Sequence, residues 1–250
     1  MHLCTHHGTG NTLIIALGGY RQDMRAFEPL IEKTQEEFQW LLVHLPYISP
    51  ESDSVTVYKP DELLHIIFTQ LQQYQFKNLY LLGFSIGGRI AQHLFLRAPE
   101  KFDKLILINA DGLKTHFLQW ITQRKWISEK FLFWCIDHKI WYSLIKTFQK
   151  TGFIPYRKAM FYMKHIQNTR RRKILIQIWK KYASFKPHVK QLAKYKHKIL
   201  LIWGKHDEVL PVKIAQKIST KHGFILEIID GNHNMIEENY EHIAKKVKSI

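Results

Sequence analysis

Residues 81–90 read L-L-G-F-S-I-G-G-R-I, and three glycines lie within six residues around Ser85. The apolar run 78–84 predicts a buried strand before the serine, and residues 87–98 follow with a helical pattern. An ordinary strand-to-helix connection has no need of so many glycines. The stretch therefore predicts a special backbone conformation at the serine.

A sharp turn between strand and helix projects a serine oxygen out of the fold without steric cover. Such a turn brings the residues two before and two after the serine close together, so only small residues fit at Gly83 and Gly87. Gly88 would let the helix approach the sheet closely. A serine hydroxyl needs a base before it becomes a nucleophile, so a partner is expected elsewhere in the chain.

Further strands are predicted by short runs rich in Ile, Leu and Val. They are nearly continuous in apolar character, which is typical of a parallel sheet covered on both faces. The predicted strands cover residues 12–17, 40–45, 78–84, 104–110, 198–204 and 224–230. The helical patterns between them cover residues 26–38, 60–75, 87–98, 211–221 and 235–248. This alternation predicts an α/β fold with a mostly parallel, doubly wound sheet.

Residues 114–198, called the basic segment below, interrupt the alternation. Five of the seven tryptophans lie there, and Pro155 breaks its helical pattern. Apolar or aromatic side chains recur at helical spacing at Phe131, Trp134, His138, Trp141, Ile145 and Phe148. We predict a core made of residues 1–113 and 199–250, with a helical insert at 114–198.

The charge of the chain is concentrated in the basic segment. Of the 37 lysines and arginines, 21 lie there with only two acidic residues, a net charge of +19. The remaining 16 basic and 19 acidic residues give −3. Such a distribution favours an anionic neighbour of the insert.

Two late loops carry candidate partners for Ser85. Asp207 lies in W-G-K-H-D-E-V-L-P just after the strand 198–204, and His233 lies in D-G-N-H-N-M just after the strand 224–230. With these features in this order, the chain resembles the α/β-hydrolase superfamily over nearly its whole length. The resemblance implies that Ser85 is the nucleophile, His233 the base and Asp207 the orienting acid. Asp111, after the strand 104–110, is an alternative acid, although the glycine that follows it suits a simple turn equally well.

The resemblance also implies two backbone donors for an oxyanion. One is the N–H of Ile86, and the other comes from the loop A-L-G-G-Y at residues 16–20. Members of the family often have His-Gly where this chain has Leu17-Gly18, but a backbone donor does not depend on the side chain. We favour Gly19 as the donor, with Gly18 as the alternative and Tyr20 near the pocket wall.

The implied activity is a serine hydrolase that cleaves a carboxylic ester or a related acyl compound through an acyl-enzyme, without a cofactor. Two alternatives stay open. One is an acyltransferase or cofactor-free perhydrolase on the same triad, and the other is a non-catalytic ligand-binding member of the fold. A serine at this turn argues against the dehalogenase and epoxide hydrolase branches, which use an aspartate there.

The resemblance implies that the basic segment forms a helical cap over the site. Its charge has three interpretations: a solvated face, an anionic membrane surface, or an anionic substrate such as an acyl thioester of a phosphorylated carrier. The run T-R-R-R-K at 169–173 resembles a nucleic-acid patch. No nucleic-acid-binding signature accompanies it, so a nucleic-acid partner is not expected.

Compartment and metal content are predicted from a few residue types. Cys4 and Cys135 are far apart, and the fifteen histidines form no ligand motif, so we expect neither a disulfide nor a metal site. No signal-peptide pattern and no apolar run of membrane-spanning length is found. We expect a cytoplasmic protein, with peripheral contact with a membrane as the alternative for the basic segment.

Overall fold

In a computed structural model of this protein, seven strands form one sheet. They are β1 (Cys4–His7), β2 (Thr12–Leu17), β3 (Phe38–Val43), β4 (Asn78–Phe84), β5 (Lys104–Ile108), β6 (Ile199–Gly204) and β7 (Ile225–Ile229). Their order across the sheet is β1-β3-β2-β4-β5-β6-β7, and all neighbouring pairs are parallel except β1 with β3. This arrangement confirms the predicted fold class.

The structure describes residues 4–20, 22–45, 57–114, 140–152, 169–182 and 188–250, together with Phe131, Trp134, Tyr156, Ala159, Met160 and Met163. Within these residues the α-helices are α1 (Glu28–Glu32), α2 (Pro60–Leu71), α3 (Ile86–Arg97), α4 (Ile140–Lys150), α5 (Thr169–Tyr182), α6 (Val189–Leu192), α7 (Val212–His222), α8 (Met235–Glu238) and α9 (Tyr240–Lys248). Two 3₁₀ helices span Met24–Phe27 and Ala193–Lys198. None of the helices described is long and apolar enough to cross a membrane.

Side chains of the sheet alternate between two buried clusters, one on each face. From β2, Leu13, Ile15 and Leu17 join the cluster that also contains residues of α2, α3 and α7. Ile14 and Ala16 join the cluster on the other face, with residues of α1 and α9. Full burial of one such aliphatic side chain contributes about 1.5–3 kcal/mol, so both faces stabilise the sheet. The predicted burial of the central strands on both faces is confirmed.

The strand order reverses its direction between β2 and β4. The chain passes from β2 to β3 on one side and then returns to β4 on the other side of β2. In open α/β sheets, ligands bind at such a switch point, outside the carboxyl ends of the strands. Leu17 pairs with Gly83 at these carboxyl ends, so the loop after β2 and the serine after β4 both start at this switch point.

The two edge strands differ from what the sequence indicates. β1 was not predicted, because C-T-H-H carries too little apolar character, yet Cys4 pairs with Val43 in an antiparallel register. β7 was predicted to be buried, but Ile225 and Ile228 are exposed. β7 pairs only with β6, and its position at the edge leaves part of its surface uncovered.

Two helices also differ from the prediction, one in its length and the other in its continuity. The pattern at 26–38 predicts a helix as far as residue 38, but α1 ends at Glu32 and β3 begins at Phe38. The pattern at 235–248 is divided into α8 and α9 at Asn239. The Asn239 side chain donates a hydrogen bond to the Asp230 carbonyl (3.1 Å), and this contact with the preceding loop accompanies the break.

The described parts of the basic segment are helical, in agreement with the sequence pattern. Ile145 of α4 is buried, whereas Phe131 and Trp134 are exposed. His138 and Pro155 lie outside the described residues. The division into a core and an inserted cap stays a prediction.

His93 lies where α3 meets the end of α5. Its ring lies 5.9 Å from the ring of the buried Tyr182 and 5.1 Å from that of His188. Burial, followed by the charges of His188, Arg89 and Arg97, lowers the pKa of His93 from 6.5 to about 3. The neutral imidazole is therefore the form that the fold accommodates.

We expect the free energy of unfolding to fall as the pH drops from about 6.5 towards 3, because the unfolded His93 binds a proton in this range and the native one does not. The slope from this group approaches about 1.4 kcal/mol per pH unit. Urea unfolding at about pH 7 and about pH 5 measures it. His93→Gln should remove this slope and His65→Gln, at an exposed position, should not. Equal slopes in wild type and His93→Gln would contradict the prediction.

Candidate active site

Ser85 occupies a strained backbone conformation between β4 and α3. Its φ is 52° and its ψ is −119°, a region that L-residues rarely adopt. Such a conformation costs on the order of 1–3 kcal/mol and persists only when its surroundings enforce it. The Ser85 N–H donates to the Ile108 carbonyl (3.1 Å), and the Ser85 carbonyl accepts from the N–H groups of Gly88 (3.0 Å) and Asp111 (2.8 Å). These bonds tie the turn to β5 and to the loop after it.

The glycines around Ser85 are required by close backbone approach. A Cβ at Gly83 would lie 2.5 Å from the Gly88 Cα, and one at Gly88 would lie 2.4 Å from the Ala110 Cβ. These contacts confirm the predicted crowding at Gly83 and the close helix–sheet approach at Gly88. A Cβ at Gly87 would lie 2.2 Å from the Leu17 carbonyl oxygen. Gly87 is therefore small chiefly because α3 starts against the end of β2, a contact that the local motif does not reveal.

The structure brings Ser85, Asp207 and His233 together from three separate loops. His233 Nε2 lies 3.1 Å from Ser85 Oγ, and His233 Nδ1 lies 2.7 Å from Asp207 Oδ2. Because a carboxylate only accepts hydrogen bonds, Nδ1 carries the proton and Nε2 of the neutral ring accepts from the serine hydroxyl. The Asp207 side chain is 0% exposed and that of His233 is 20% exposed. This is the geometry that a serine and its general base need.

The loop that carries Asp207 is held by further hydrogen bonds. Asp207 Oδ1 accepts from the backbone N–H groups of Val209 (2.8 Å) and Leu210 (2.7 Å). The Leu210 carbonyl in turn accepts from the indole N–H of the buried Trp203 (2.7 Å). The carboxylate is thereby fixed with one oxygen free for His233. The neighbouring His206 lies away from this arrangement and contacts Asp230 instead (2.8 Å).

Asp111, the alternative acid, is placed differently. Its carboxylate accepts two hydrogen bonds from the Arg89 guanidinium, at 2.8 and 2.9 Å. The Arg89 side chain is 4% exposed, so this is a buried ion pair. It links α3 to the loop after β5. The contact that orients His233 is made by Asp207.

Asn109 is a residue of the site that the sequence did not suggest. It is fully buried, has a φ of 40°, and follows β5 directly. Its Nδ2 donates to the carbonyls of Asn232 (2.9 Å) and His233 (3.1 Å), and its Oδ1 accepts from the Gly204 N–H (2.8 Å). One carboxamide thus joins the ends of β5 and β6 to the loop of His233. The only sequence signal for Asn109 was its polar side chain near the end of the apolar run 104–110, and the predicted strand included this position.

The candidate oxyanion donors lie beside the serine. Ile86 begins α3, where the first N–H groups of a helix have no acceptor within it. A Cβ at Gly87 would lie 2.5 Å from the Gly18 carbonyl oxygen, so the loop after β2 touches the start of α3. Tyr20 of this loop packs against the core cluster that contains Leu17.

The Gly19 N–H already has an acceptor in this structure. It donates to Gln22 Oε1 (2.8 Å), and the Gln22 N–H donates to the Gly19 carbonyl (3.1 Å). The Gln22 Nε2 is buried and has no hydrogen-bond partner among the residues described. An oxyanion that binds to Gly19 must therefore share this N–H or displace the carboxamide. Neither Gly19 nor Gly18 is decided as the donor, and both stay predictions.

The described part of the chain contains no cluster of potential metal ligands. No group of three or more His, Cys, Asp or Glu side chains is arranged there to hold an ion. The expectation of a site without metal or cofactor stays a prediction.

Comparisons with known proteins agree with this architecture. A family model described as the alpha/beta hydrolase fold matches residues 3–240. The chain is 22% identical over 259 aligned positions to YugF, an uncharacterized hydrolase of Bacillus subtilis (strain 168), covering 97% of this chain and 92% of that protein. It is 27% identical over 134 residues to a pimeloyl-[acyl-carrier protein] methyl ester esterase of Pectobacterium carotovorum subsp. carotovorum (strain PC1), covering 50% of each. The solved structure of MenH from S. aureus aligns with a TM-score of 0.69 and 17% identity, covering 100% of this chain and 97% of that one.

The roles of the two carboxylates, Asp207 and Asp111, can be distinguished by substitution. We expect Asp207→Asn to lower the reactivity of Ser85 by roughly 10⁴-fold, because the amide favours the wrong tautomer of His233. Asp111→Asn should instead lower the free energy of unfolding by about 3–5 kcal/mol, because Arg89 loses its buried partner. The rate of labelling by a fluorophosphonate and urea unfolding measure the two effects. A larger loss of reactivity in folded Asp111→Asn than in Asp207→Asn would contradict the assignment.

Asn109→Asp should lower the labelling rate by more than about tenfold, because a carboxylate oxygen would face the carbonyls of Asn232 and His233 where the amide donated. Asn109→Gly removes the side chain without straining the backbone, since glycine accepts a positive φ. If the carboxamide positions the loop of His233, both variants should label slowly. Normal labelling rates with reduced stability alone would show that Asn109 is structural only.

Proposed function

Since this chain belongs to the alpha/beta hydrolase fold family, we propose that it is a serine hydrolase that cleaves a carboxylic ester or a related acyl compound. The observation that carries the proposal is the hydrogen-bonded line from Asp207 through His233 to Ser85, with distances of 2.7 and 3.1 Å. The similarity to a methyl ester esterase supports an ester as the substrate class.

In the proposed reaction, Ser85 Oγ attacks the acyl carbon while its proton passes to His233 Nε2. Asp207 stabilises the imidazolium that forms, without taking its proton. The tetrahedral intermediate collapses, the bond to the alcohol breaks, and the departing alkoxide takes the proton from Nε2. A water molecule then gives a proton to His233 Nε2 and attacks the acyl carbon of the acyl-enzyme. The second tetrahedral intermediate collapses, the bond between the acyl carbon and Ser85 Oγ breaks, and Oγ takes the proton back from Nε2 as the acid leaves.

The negative charge of the tetrahedral intermediate would be stabilised by backbone N–H groups. Ile86 supplies one, and the loop at Gly18–Gly19 supplies the other. Each such donor is worth on the order of 3 kcal/mol in the transition state. At Gly19 the oxyanion would compete with Gln22 Oε1, and a charged acceptor forms the stronger hydrogen bond. The donor is therefore available to the transition state at the cost of a neutral bond.

The acceptor of the acyl group distinguishes hydrolysis from transfer. An acyl-enzyme on Ser85 could also be captured by an alcohol, a thiol or a peroxide, and the contacts of the triad are the same in each case. We favour water because the similar proteins with stated activities include an esterase. Product analysis with and without an added nucleophile separates the two.

We expect a fluorophosphonate probe to label the wild-type chain on Ser85, and Ser85→Ala to lose both the label and ester cleavage. A panel of esters with acyl chains of increasing length would then define the substrate, and released acid would be measured against transferred acyl product. Labelling of Ser85→Ala equal to that of wild type would refute the assignment of Ser85 as the nucleophile. Stoichiometric labelling together with tight ligand binding but no turnover would support a binding protein instead.

A further inference from the structure

Large apolar side chains are exposed mainly on the basic segment. The described part of the chain has eight such residues, and six of them lie between 114 and 198 with exposed fractions of 41–63%. These six are Phe131, Trp134, Tyr142, Leu144, Tyr156 and Met160. The other two, Ile225 and Ile228, lie on the edge strand β7. Among the described residues, the basic segment therefore holds most of the exposed large apolar side chains, and by composition it carries the highest positive charge of the chain.

Helix α4 shows how the two properties are combined. Ile145 is fully buried, so this position of the helix is shielded from solvent. Leu144 and Tyr142 are exposed. Lys146 and Lys150, also exposed, follow Tyr142 at four-residue intervals and therefore lie on the same face of the helix. One position of the helix is thus buried, while an aliphatic residue, a tyrosine and two cations remain accessible.

The composition of the basic segment leaves it with a large net positive charge. It contains 21 basic and only two acidic residues, so its own acidic residues can neutralise few of its cations. The acidic residues of the core are partly used by the core itself, for example Asp111 with Arg89 and Glu37 with Lys248. A net charge of this size and sign favours a polyanionic neighbour.

We propose that the exposed part of α4, together with the other exposed apolar side chains described in the basic segment, docks on an anionic phospholipid bilayer. Lys146 and Lys150 bind the headgroups, and tryptophan, tyrosine and aliphatic side chains enter the interface between headgroups and acyl chains. Nucleic acid fits less well, because exposed aliphatic residues such as Leu144 and Met160 cannot stack on bases as aromatic rings do. The exposed rings of Phe131 and Trp134, stacked 6.1 Å apart, suit an interfacial anchor.

Docking does not involve the chemistry proposed for Ser85. A bilayer surface would concentrate ester lipids or their products near the enzyme, and that consequence rests on the proposed function. Binding itself does not, so Ser85→Ala should bind vesicles as wild type does. Failure of the proposed reaction and failure of the docking surface are therefore separate results.

The test is co-sedimentation of the full chain with phospholipid vesicles. We expect binding to vesicles of equal parts phosphatidylcholine and phosphatidylglycerol to be at least about tenfold tighter than to phosphatidylcholine alone, and to weaken when salt rises from about 0.1 M to about 1 M. Similar affinity for both vesicles, or no binding to either, would overturn the proposal. So would binding to a single-stranded oligonucleotide with none to vesicles.

Paired variants locate the surface. The double variant Lys146→Glu/Lys150→Glu should weaken vesicle binding by roughly tenfold or more. Its control is Lys213→Glu/Lys217→Glu on α7, which changes the same charge at the same spacing on exposed core positions. Tyr142→Ser/Leu144→Ser should also weaken binding, whereas Ile225→Ser/Ile228→Ser should not. Circular dichroism verifies that each variant folds, and equal loss in test and control pairs would refute the assignment to the basic segment.

Discussion

The strained backbone of Ser85 is the constraint on which the rest of the site depends. At φ 52° and ψ −119° the chain leaves β4 and enters α3 within one residue. Hydrogen bonds to Ile108, Gly88 and Asp111 hold this conformation. They are possible only because the glycines on either side let α3 approach the ends of three strands. Stability supplied by the sheet thus maintains a local conformation that exposes the serine oxygen.

A second constraint is the connection among the loops that surround the serine. Asp207 follows β6 and His233 follows β7, so each enters the site from a different strand. Asn109 joins both regions, since it contacts the Gly204 N–H at the end of β6 and the carbonyls of Asn232 and His233. A fully buried carboxamide has few alternative partners. The base is therefore positioned by the core of the sheet rather than by its own loop alone.

The central strands were predictable because the burial of both faces leaves continuous apolar runs, as at residues 12–17 and 78–84. The edge strands were predicted less well. β1 has too little apolar character to be predicted, and β7 was predicted as a strand but also as buried, although it pairs with only one neighbour. A strand at the edge owes its existence to pairing, and pairing partners distant along the chain leave no local pattern. The two candidate acids are also distinguished by contacts between residues distant along the chain. Arg89 forms an ion pair with Asp111, whereas His233 contacts Asp207.

The sequence by itself determined the alternation of strands and helices, the strand-to-helix turn at Ser85 and a short set of partners in the right order. These features arise from neighbouring residues, because apolar periodicity and glycine sterics act over a few positions. Only the tertiary structure decided that the Gly19 N–H is held by Gln22, that Asn109 supports the loop of His233, and that α4 exposes apolar side chains beside its lysines. These particular hydrogen bonds and exposures depend on atoms that folding brings together from distant parts of the chain, so no local pattern predicts them.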